Sequence, residues 1–438
     1  MAFSLHGVHL PHRKNTAGAA AVRMPAPARV TIPMEMHIGA PAKAVVKVGD
    51  HVDIGTLIGE AQGFVSAPVY ASVSGTVKEL AKRMQVNGKQ ADVVVIESDG
   101  QATQDPSVAP PKVESREELI EAIRKSGLVG LGGAGFPTFI KFNADPEKID
   151  TLIINGAECE PYITSDSLTM TERAEEMAEA LKAIETYLGI KKVVIGIEDN
   201  KKAAILRMKE LAKEDPCVRV VSLKAVYPQG GEKVLIYHTV GRVVPVGKLP
   251  MDVGCIVCNC TTLAEIGRYL KTGMPLVERC LTVDGSAVKE PKNVIAPIGT
   301  AMEEVFAFCG GLNEPFGKVL YGGPMMGIAV EDLKAPIMKN TNAILAFSEK
   351  DSAPQKETAC IRCGGCANHC PFGIDPAALE RAYKAEDMEG MIKCGADACM
   401  ECGCCAFICP ANRPLVQTNK LAKAALRAAR EKAKEESK

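Results

Sequence analysis

The sequence predicts a multidomain protein in which an α/β domain is combined with several small β domains. Residues 29–97 consist of short β-branched runs separated by glycine, and residues 151–223 alternate between strand and helix patterns. Two closely similar cysteine motifs follow near the C-terminus. A chain of 438 residues has room for roughly three or four domains. We predict domains at 1–100, 112–270, 271–345 and 350–412, with a C-terminal helix or tail at 413–438.

Composition excludes some classes of partner. The 52 Lys and Arg residues nearly balance the 53 Asp and Glu residues, so no broad basic surface is expected for nucleic acid. Aromatic residues make up 4% of the chain and Trp is absent, which leaves few platforms for stacking bases. The residues after Met1 lack a signal-peptide pattern, and no run of 18 apolar residues occurs. We therefore expect a protein of the reducing cytosol that associates with a membrane only through partners or an interfacial segment.

The N-terminal segment carries three histidines, His6, His9 and His12, at a spacing of three. A helix would align them as metal ligands, but Gly7 and Pro11 disfavour a helix here. A docking segment is therefore favoured over a metal site.

The short strands of residues 29–97 predict a small barrel or sandwich. The stretches VKVGDHVDIGTLIGE (46–60, preceded by Val45) and VSAPVYASVSGTV (65–77) resemble the two halves of biotinyl- and lipoyl-type barrel-sandwich hybrid domains. Those carriers place a modifiable lysine between the halves. Residues 61–64 of this chain contain no lysine, so we interpret the domain as structural.

Residues 112–270 predict an α/β domain. Ser115 and Glu118 have the spacing of a capping box before a helix at Arg116–Lys125. Strands are predicted at 151–155, 192–197 and 218–223, and helices at 171–188 and 201–214. Such alternation implies a parallel sheet covered on both faces, with a cofactor at the carboxyl ends of its strands.

A glycine-rich stretch at 127–142 has the composition of a phosphate-binding loop, in which backbone N–H groups approach the ligand and Lys141 adds a charge. A plain turn is the alternative. The stretch departs from the dinucleotide fingerprint because it follows a predicted helix and has no acid about twenty residues later after a strand.

The stretch GLGGAGFPTFIKF (130–142) is similar to the FMN loop of the flavin- and NADH-binding subunit of respiratory Complex I. The similarity continues through NGAECEP (155–161), YPQGGEK (227–233) and NCTT (259–262). It implies that FMN and NAD(H) bind here. The phosphate is then cradled by Gly130, Gly132, Gly133 and Gly135 with Lys141, and approached by Asn259 and Thr262. Asn155 and Glu158 line the flavin, and Tyr227 and Glu232 line the nicotinamide side. Glu158 and Glu232 are the catalytic candidates.

Some positions depart from the Complex I pattern. Leu131 replaces a basic residue, and Gly231 replaces the first of two acids. Cys258 and Cys260 also differ from that family, and with Cys255 they form a trio that we interpret as buried thiols rather than a metal site.

Residues 271–345 include VDGSAVKEPKNVIAPIGTAMEEVFAFCGG (283–311), which resembles a soluble-ligand-binding β-grasp (SLBB-like) domain. A plain α+β packing module is an equal alternative.

The two cysteine motifs both read C-x2-C-x2-C-x3-C-P, the spacing of bacterial ferredoxins with two 4Fe–4S clusters. In that arrangement the fourth cysteine of each motif ligates the other cluster. The first cluster is assigned to Cys360, Cys363, Cys366 and Cys409, and the second to Cys399, Cys402, Cys405 and Cys370. Zinc knuckles need no third cysteine, and a disulfide framework suits small secreted domains. Cys404 is disfavoured as a ligand because the spacing selects Cys405.

A final helix is predicted at 415–436, exposed and with a thin apolar stripe. A docking helix or frayed tail is favoured over a membrane anchor.

The order of these motifs, with YGGPMMG (321–327) before the cysteines, resembles the C subunits of Rnf electron-transport complexes. The resemblance implies a peripheral component on the cytoplasmic face of the inner membrane, within an ion-translocating ferredoxin:NAD oxidoreductase. Its partners are then the other Rnf subunits, NAD(H) and, through the complex, ferredoxin. Two alternatives are a soluble cobalamin reductase, which lacks the N-terminal HGVHLPHRKN and barrel, and a cluster relay without NADH activity.

Overall fold

The computed structural model describes residues 6–436. The predicted N-terminal and C-terminal regions also include residues 1–5 and 437–438, which lie outside the described residues. In chain order the strands are β1 (Val22–Arg23), β2 (Arg29–Pro33), β3 (Lys43–Ala44), β4 (His51–Val52), β5 (Leu57–Glu60), β6 (Val69–Tyr70), β7 (Gly75–Met84), β8 (Gln90–Ser98), β9 (Thr151–Gly156), β10 (Val193–Glu198), β11 (Val218–Leu223), β12 (Cys255–Asn259), β13 (Glu278–Asp284), β14 (Lys292–Pro297), β15 (Phe316–Tyr321), β16 (Ile328–Val330) and β17 (Ala343–Ser348).

The helices are α1 (Arg116–Lys125), α2 (Thr138–Phe142), α3 (Ser165–Glu172), α4 (Ala174–Leu188), α5 (Lys202–Glu214), α6 (Glu232–Val240), α7 (Cys260–Thr272), α8 (Met302–Phe308), α9 (Glu349–Ser352), α10 (Gly365–Asn368), α11 (Pro376–Lys384), α12 (Met388–Lys393), α13 (Cys404–Phe407) and α14 (Leu415–Glu436). Short 3₁₀ turns lie at Pro250–Val253 and Ala396–Ala398.

The N-terminal β domain consists of a four-stranded sheet in the order β2-β8-β7-β4 and a three-stranded sheet in the order β3-β5-β6. Val30 and Ile32 of β2 and Val94 and Ile96 of β8 are fully buried and share one core. Val93 and Val95 of β8 are buried as well, so both faces of this strand are covered. The predicted small barrel or sandwich is confirmed.

The α/β domain is built on a parallel sheet in the order β11-β10-β9-β12. Leu152 and Ile154 of β9 face a core shared with the N-terminal β domain. Ile153 points to the opposite face, where it packs with Leu235 and Ile236 of α6. Both faces are therefore covered, as predicted from the alternation of strands and helices.

Helix α1 begins and ends at the predicted residues. The Ser115 side chain accepts the Glu118 N–H, but the Glu118 carboxylate accepts from Glu114 N–H, one residue before the partner of a regular capping box.

The prediction of one helix over 171–188 is wrong at its N-terminal end. The chain instead forms α3 and α4, which are separated by Arg173 with a non-helical φ of −123°. The Arg173 guanidinium pairs with buried Glu265 of α7 at 2.5 Å and with Glu176 at 3.5 Å. These ion-pair partners come from the packing of α4 on α7, which local helix propensity does not encode.

The β-grasp region forms a six-stranded sheet in the order β1-β14-β13-β17-β15-β16. Val283, Val294 and Ile344 face its core together with Met302 and Phe306 of α8. Strand β1 comes from the N-terminal region and pairs in parallel with β14. The β-grasp sheet therefore includes a strand from outside the predicted 271–345 region.

The cysteine-rich domain packs the first half of α14 against α11 and α12. Leu426 and Ala422 of α14 are buried with Leu379 and Met391. The predicted helix over 415–436 is confirmed in its bounds, but its N-terminal half belongs to the core of its own domain. No helix within residues 6–436 has both the length and the apolarity needed to cross a bilayer.

Residues 6–16, which we name the N-terminal strap, connect the α/β and cysteine-rich domains. Val8 and Tyr227 exchange two backbone hydrogen bonds of 2.9 and 3.0 Å. His6 Nδ1 lies 3.0 Å from the Asn368 carbonyl oxygen, whereas His12 lies beside Asn200. The histidines thus contact different segments, and the strap docks within its own chain.

We predict that Gly267→Ala lowers the thermal stability. A Cβ at Gly267 on α7 would lie 1.8 Å from the Glu176 carbonyl oxygen of α4, and such overpacking costs about 1–3 kcal/mol. Thermal unfolding followed by circular dichroism measures the change. Lys182→Ala on the exposed side of α4 is the control, and equal midpoints for both variants would contradict the close packing of these helices.

Candidate functional site

The glycine loop presents an open stretch of backbone between α1 and α2. Gly130 N–H donates to the Phe136 carbonyl at 2.8 Å, and Gly135 has a φ of +71°, which fixes the turn. Gly132 and Gly133 are exposed. A Cβ at Gly133 would meet no atom within 4 Å. The exposed backbone at Gly132 and Gly133 is therefore the part of the loop that offers a cradle for a flavin phosphate.

The N-terminus of α7 lies directly behind this cradle. Asn259 Oδ1 caps the helix by accepting the Thr261 and Thr262 N–H groups, and Thr262 Oγ1 accepts from Leu131 N–H at 3.0 Å. A Cβ at Gly132 would lie 2.5 Å from Asn259 Nδ2. The helix N-terminus adds a favourable field for an anion at the loop. Asn259 and Thr262 are thus brought to the predicted phosphate end.

Arg279 of β13 also contacts this loop, although no sequence pattern marked it. Leu131, which replaces the basic residue of the Complex I loop, is fully buried, and its carbonyl accepts from Arg279 at 3.1 Å. Burial lowers the pKa of the Arg279 guanidinium. A basic side chain therefore still reaches this loop, but from the β-grasp domain.

Asn155 and Glu158 follow β9 at its carboxyl end. Asn155 Nδ2 donates to the Gly230 carbonyl at 2.9 Å, which joins this loop to the segment 227–233. The Glu158 carboxylate is 5% exposed, accepts the Asp166 N–H at 2.7 Å, and pairs with Lys201 at 3.0 Å. Glu158 is therefore held rigidly at the edge of the sheet.

Lys14 of the strap inserts its amine beneath the same loop. Lys14 Nζ donates to the carbonyl oxygens of Glu158, Glu160 and Ile163 and lies 3.9 Å from the Glu158 carboxylate. Burial lowers the Lys14 pKa to about 8. No local motif marked Lys14, because its acceptors lie about 150 residues away in the sequence.

Glu160 links the same loop to the β-grasp domain. Its carboxylate accepts the N–H groups of Met325 and Met326 at 3.0 and 2.9 Å. A Cβ at Gly323 would lie 2.4 Å from Glu160 Oε2, so the glycine permits this approach. Burial raises the Glu160 pKa to about 7. The motif YGGPMMG thus has a structural role beside the site.

Lys141 and Glu232 lie together on the other side of the site. Lys141 Nζ is 3.3 Å from Glu232 Oε1 and donates to the Val257 carbonyl at 3.0 Å. Both side chains remain partly exposed. The positive charge of Lys141 is therefore shared between the loop region and the predicted nicotinamide side.

Tyr227 lies where the α/β domain meets the cysteine-rich domain. It is 3% exposed, and its hydroxyl donates to the Cys402 carbonyl at 2.7 Å. A Cβ at Gly231 would lie 2.6 Å from Met400 Cε, so Met400 occupies the space beside Gly231. With Val8, these side chains form an apolar contact that we name the junction.

The eight predicted cluster ligands divide between two cavities. The inner site adjoins the junction and is lined by Cys370, Cys399, Cys402 and Cys405. The outer site is lined by Cys360, Cys363, Cys366 and Cys409. In each set three cysteines come from one motif and the fourth from the other, which is the division expected from the spacing. Each cavity thus contains the four thiols that a 4Fe–4S cubane needs.

Cys404, Cys255, Cys258 and Cys260 lie outside the predicted ligand sets and are buried. Cys404 also lines the inner cavity, but its Sγ lies 3.9 Å from the Tyr227 carbonyl at the junction. Cys255, Cys258 and Cys260 are buried, as predicted for thiols of the core. Burial raises the Cys258 pKa to about 12.

Comparison with known proteins identifies the domains. Residues 3–101 match the RnfC barrel sandwich hybrid domain, residues 123–268 the Nuo51 FMN-binding domain, and residues 281–329 the SLBB domain. The C subunit of the proton-translocating ferredoxin:NAD(+) oxidoreductase complex of Clostridium ljungdahlii is 42% identical over 378 residues, which cover 85% of this chain and 82% of that relative. The chain belongs to the RnfC family.

Further RnfC proteins agree over most of the chain. The Na(+)-translocating ferredoxin:NAD(+) oxidoreductase complex of Acetobacterium woodii has a C subunit 41% identical over 389 residues, 87% of each chain. The C subunit of the ion-translocating oxidoreductase complex of Rhodobacter capsulatus is 38% identical, and the match covers 97% of this chain and 83% of that relative. The air-oxidised NAD+-reducing [NiFe]-hydrogenase has a TM-score of 0.49 at 19% identity, over 63% of this chain and 54% of that chain.

The family matches confirm the predicted FMN-binding α/β domain, the barrel-sandwich hybrid and the SLBB-like β-grasp domain. The RnfC barrel match also covers the N-terminal region that the cobalamin-reductase alternative lacks.

Two alanine variants test the cradle. We expect Gly133→Ala to weaken FMN binding at least tenfold, because its methyl group enters the open space that the phosphate would occupy. The thermal midpoint of the flavin-free protein should not change, because the methyl group contacts no protein atom. Gly132→Ala should lower both the FMN affinity and the thermal midpoint, because its methyl group meets the Asn259 side chain. Quenching of FMN fluorescence and thermal unfolding measure the two properties. Unchanged FMN affinity in Gly133→Ala would contradict the cradle.

Replacing Lys14 tests the strap. Lys14→Met removes three donated hydrogen bonds, so we expect a loss of about 1–3 kcal/mol in unfolding free energy and faster proteolysis within residues 6–22. Thermal unfolding and timed proteinase K digestion, whose cleavage does not require a lysine, measure both effects. Lys43→Met on the exposed surface of the N-terminal β domain is the control, and a strap equally resistant in both variants would refute the anchoring role.

Proposed function

We propose that this chain is the peripheral electron-transfer component of an ion-translocating ferredoxin:NAD oxidoreductase complex. It exchanges hydride between NAD(H) and FMN and relays single electrons through two 4Fe–4S clusters. The observation that carries the proposal is the junction, where Tyr227 and Gly231 of the flavin domain contact Cys402 and Met400 of the inner site.

The chemistry requires a flavin between nicotinamide and clusters, because a hydride carries two electrons and a cubane accepts one. The chain's own residues hold the phosphate and orient the ring. Gly130, Gly132, Gly133 and Gly135 form the cradle, with Asn259 and Thr262 behind it and Lys141 beside it. Asn155 and Glu158 border the flavin side, and Glu232 borders the nicotinamide side. Tyr227, which the resemblance assigned to the nicotinamide side, instead contacts the inner site at the junction.

The positions of the two cysteine sites support an order in the relay. The inner site shares Met400, Cys402 and Cys404 with the junction, where Val8 and Tyr227 are also buried. The outer site lies at the exposed segment that contains Cys360 and Cys363. We assign the inner site to exchange with the flavin and the outer site to exchange with partner subunits.

In this proposal the chain lies on the cytoplasmic face of the inner membrane, where the other Rnf subunits hold it. Its membership of the RnfC family supports this location. The coupling ion crosses through those other subunits. Relatives belong to complexes named for protons and for sodium ions, which is consistent with a role independent of the ion.

An anaerobic NADH titration of the reconstituted protein tests the function. We expect bleaching of flavin absorbance followed by reduction of both clusters. Cys402→Ser at the inner site should leave flavin bleaching intact and stop electron arrival at the outer site. Cys363→Ser at the outer site is the matched variant and should leave the inner cluster reducible. Iron and flavin contents verify loading.

Two outcomes would count against this proposal. The first is a wild type, loaded with FMN and both clusters, that stays oxidised under excess NADH. Such a protein would not react with NADH and would only relay electrons between other subunits. Reduction of the outer cluster by NADH in a Cys402→Ser protein without an inner cluster would overturn the assigned order.

A further inference from the structure

The mouth of the outer site has an apolar centre exposed to solvent. Ile361 lies between the ligands Cys360 and Cys363 and is 67% exposed. Arg362 follows it with a φ of +57°, and the equivalent Glu401 of the second motif has a φ of +62°, so the backbone is similar at both positions. At the inner site the corresponding Met400 is packed against Gly231 of the flavin domain. The two equivalent positions thus differ, because one has an intramolecular partner and the other faces outward.

The charges around this mouth are unequally compensated. Arg413 pairs with Glu380 and with Glu357, which neutralises it. Asp375 uses its carboxylate to cap α11 by accepting two backbone N–H groups. Arg362 and Arg381 also line the cavity and are exposed, and neither forms an ion pair with another residue among 6–436.

Beside the inner site, by contrast, the nearby cations are paired. Lys423 bonds Glu401, and Arg430 bonds Asp397 in a double hydrogen bond of 2.9 and 2.7 Å. Arg362 and Arg381 face the single carboxylate of Asp375 in the lining of the outer cavity, so an excess of positive charge borders the outer mouth around an exposed isoleucine. An apolar centre with a charged rim is the usual anatomy of a protein interface.

We propose that the outer mouth is the docking surface for an iron–sulfur protein that presents acidic residues around its own cluster. The inference rests on the proposed function, which makes the outer site the point of exchange with partners. Ile361 is desolvated at the centre of the contact, while Arg362 and Arg381 attract the acidic rim and orient the approach. Long-range attraction of this kind acts mainly on the association rate and weakens with salt.

Charge reversal tests the surface, with a purified acidic two-cluster ferredoxin as the probe. We expect Arg362→Glu combined with Arg381→Glu to lower the association rate constant about tenfold or more at low salt, with a difference that shrinks as salt is added. Surface plasmon resonance with the cluster-loaded full chain measures the rate. Lys182→Glu combined with Lys209→Glu, both exposed on helices of the α/β domain, is the matched control.

Iron and labile sulfide contents show whether each variant retains its clusters. If charge reversal prevents cluster loading, the neutral double variant Arg362→Gln with Arg381→Gln replaces it. Its association rate constant should lie between those of the wild type and the charge-reversal variant. NADH bleaching of the flavin is recorded in parallel, and it should be unchanged in every variant. This readout separates failure of docking from failure of the NADH reaction.

Three results would overturn the proposal. The first is a wild type that does not bind the ferredoxin, and the second is an equal loss of association rate in the control pair. The third is a charge-reversal variant in which the reduction potential of the outer cluster changes while the association rate constant does not. Electron paramagnetic resonance during a redox titration measures that potential. That result would assign the arginines to balancing the charge of the cluster.

Discussion

The buried amine of Lys14 is the interaction on which the arrangement of this molecule depends. Its three carbonyl acceptors lie in the loop after β9, which also carries Glu158 and Glu160. Glu160 in turn binds the β-grasp domain through Met325 and Met326. One lysine from the N-terminal strap thus fixes the loop that borders the flavin site and joins it to two other parts of the chain.

Placing this lysine inside the protein is costly unless its charge is compensated. Glu158 lies 3.9 Å from Lys14 and 3.0 Å from Lys201, so one carboxylate serves two amines. Glu198 is also buried in this group, and burial raises its pKa to about 7. The group combines two lysines with two acids, and removal of any one member leaves an unbalanced charge. This balance explains why the strap is confined to one position.

Local patterns predicted the features whose causes are local. The unbroken apolar run of Leu152, Ile153 and Ile154 predicted a buried strand, and the cysteine spacing predicted the division between two cavities. The break at Arg173 and the insertion of Lys14 depend on partners far away in the sequence, so propensity and spacing contain no signal for them. Arg279 is a similar case, since it reaches the glycine loop from a different domain.

The junction has a further consequence for how the chain carries electrons. Four parts of the chain meet there: Val8 of the strap, Tyr227 of the flavin domain, Met325 of the β-grasp domain, and Cys402 and Met400 of the inner site. A cysteine-rich domain held by so many contacts has little freedom to swing between the flavin and a partner. Exchange with other subunits must then occur at a surface that is already exposed. The outer mouth, where Ile361 is exposed, is such a surface. Because the junction fixes one end of the cysteine-rich domain, partners must approach the opposite end, at the outer mouth.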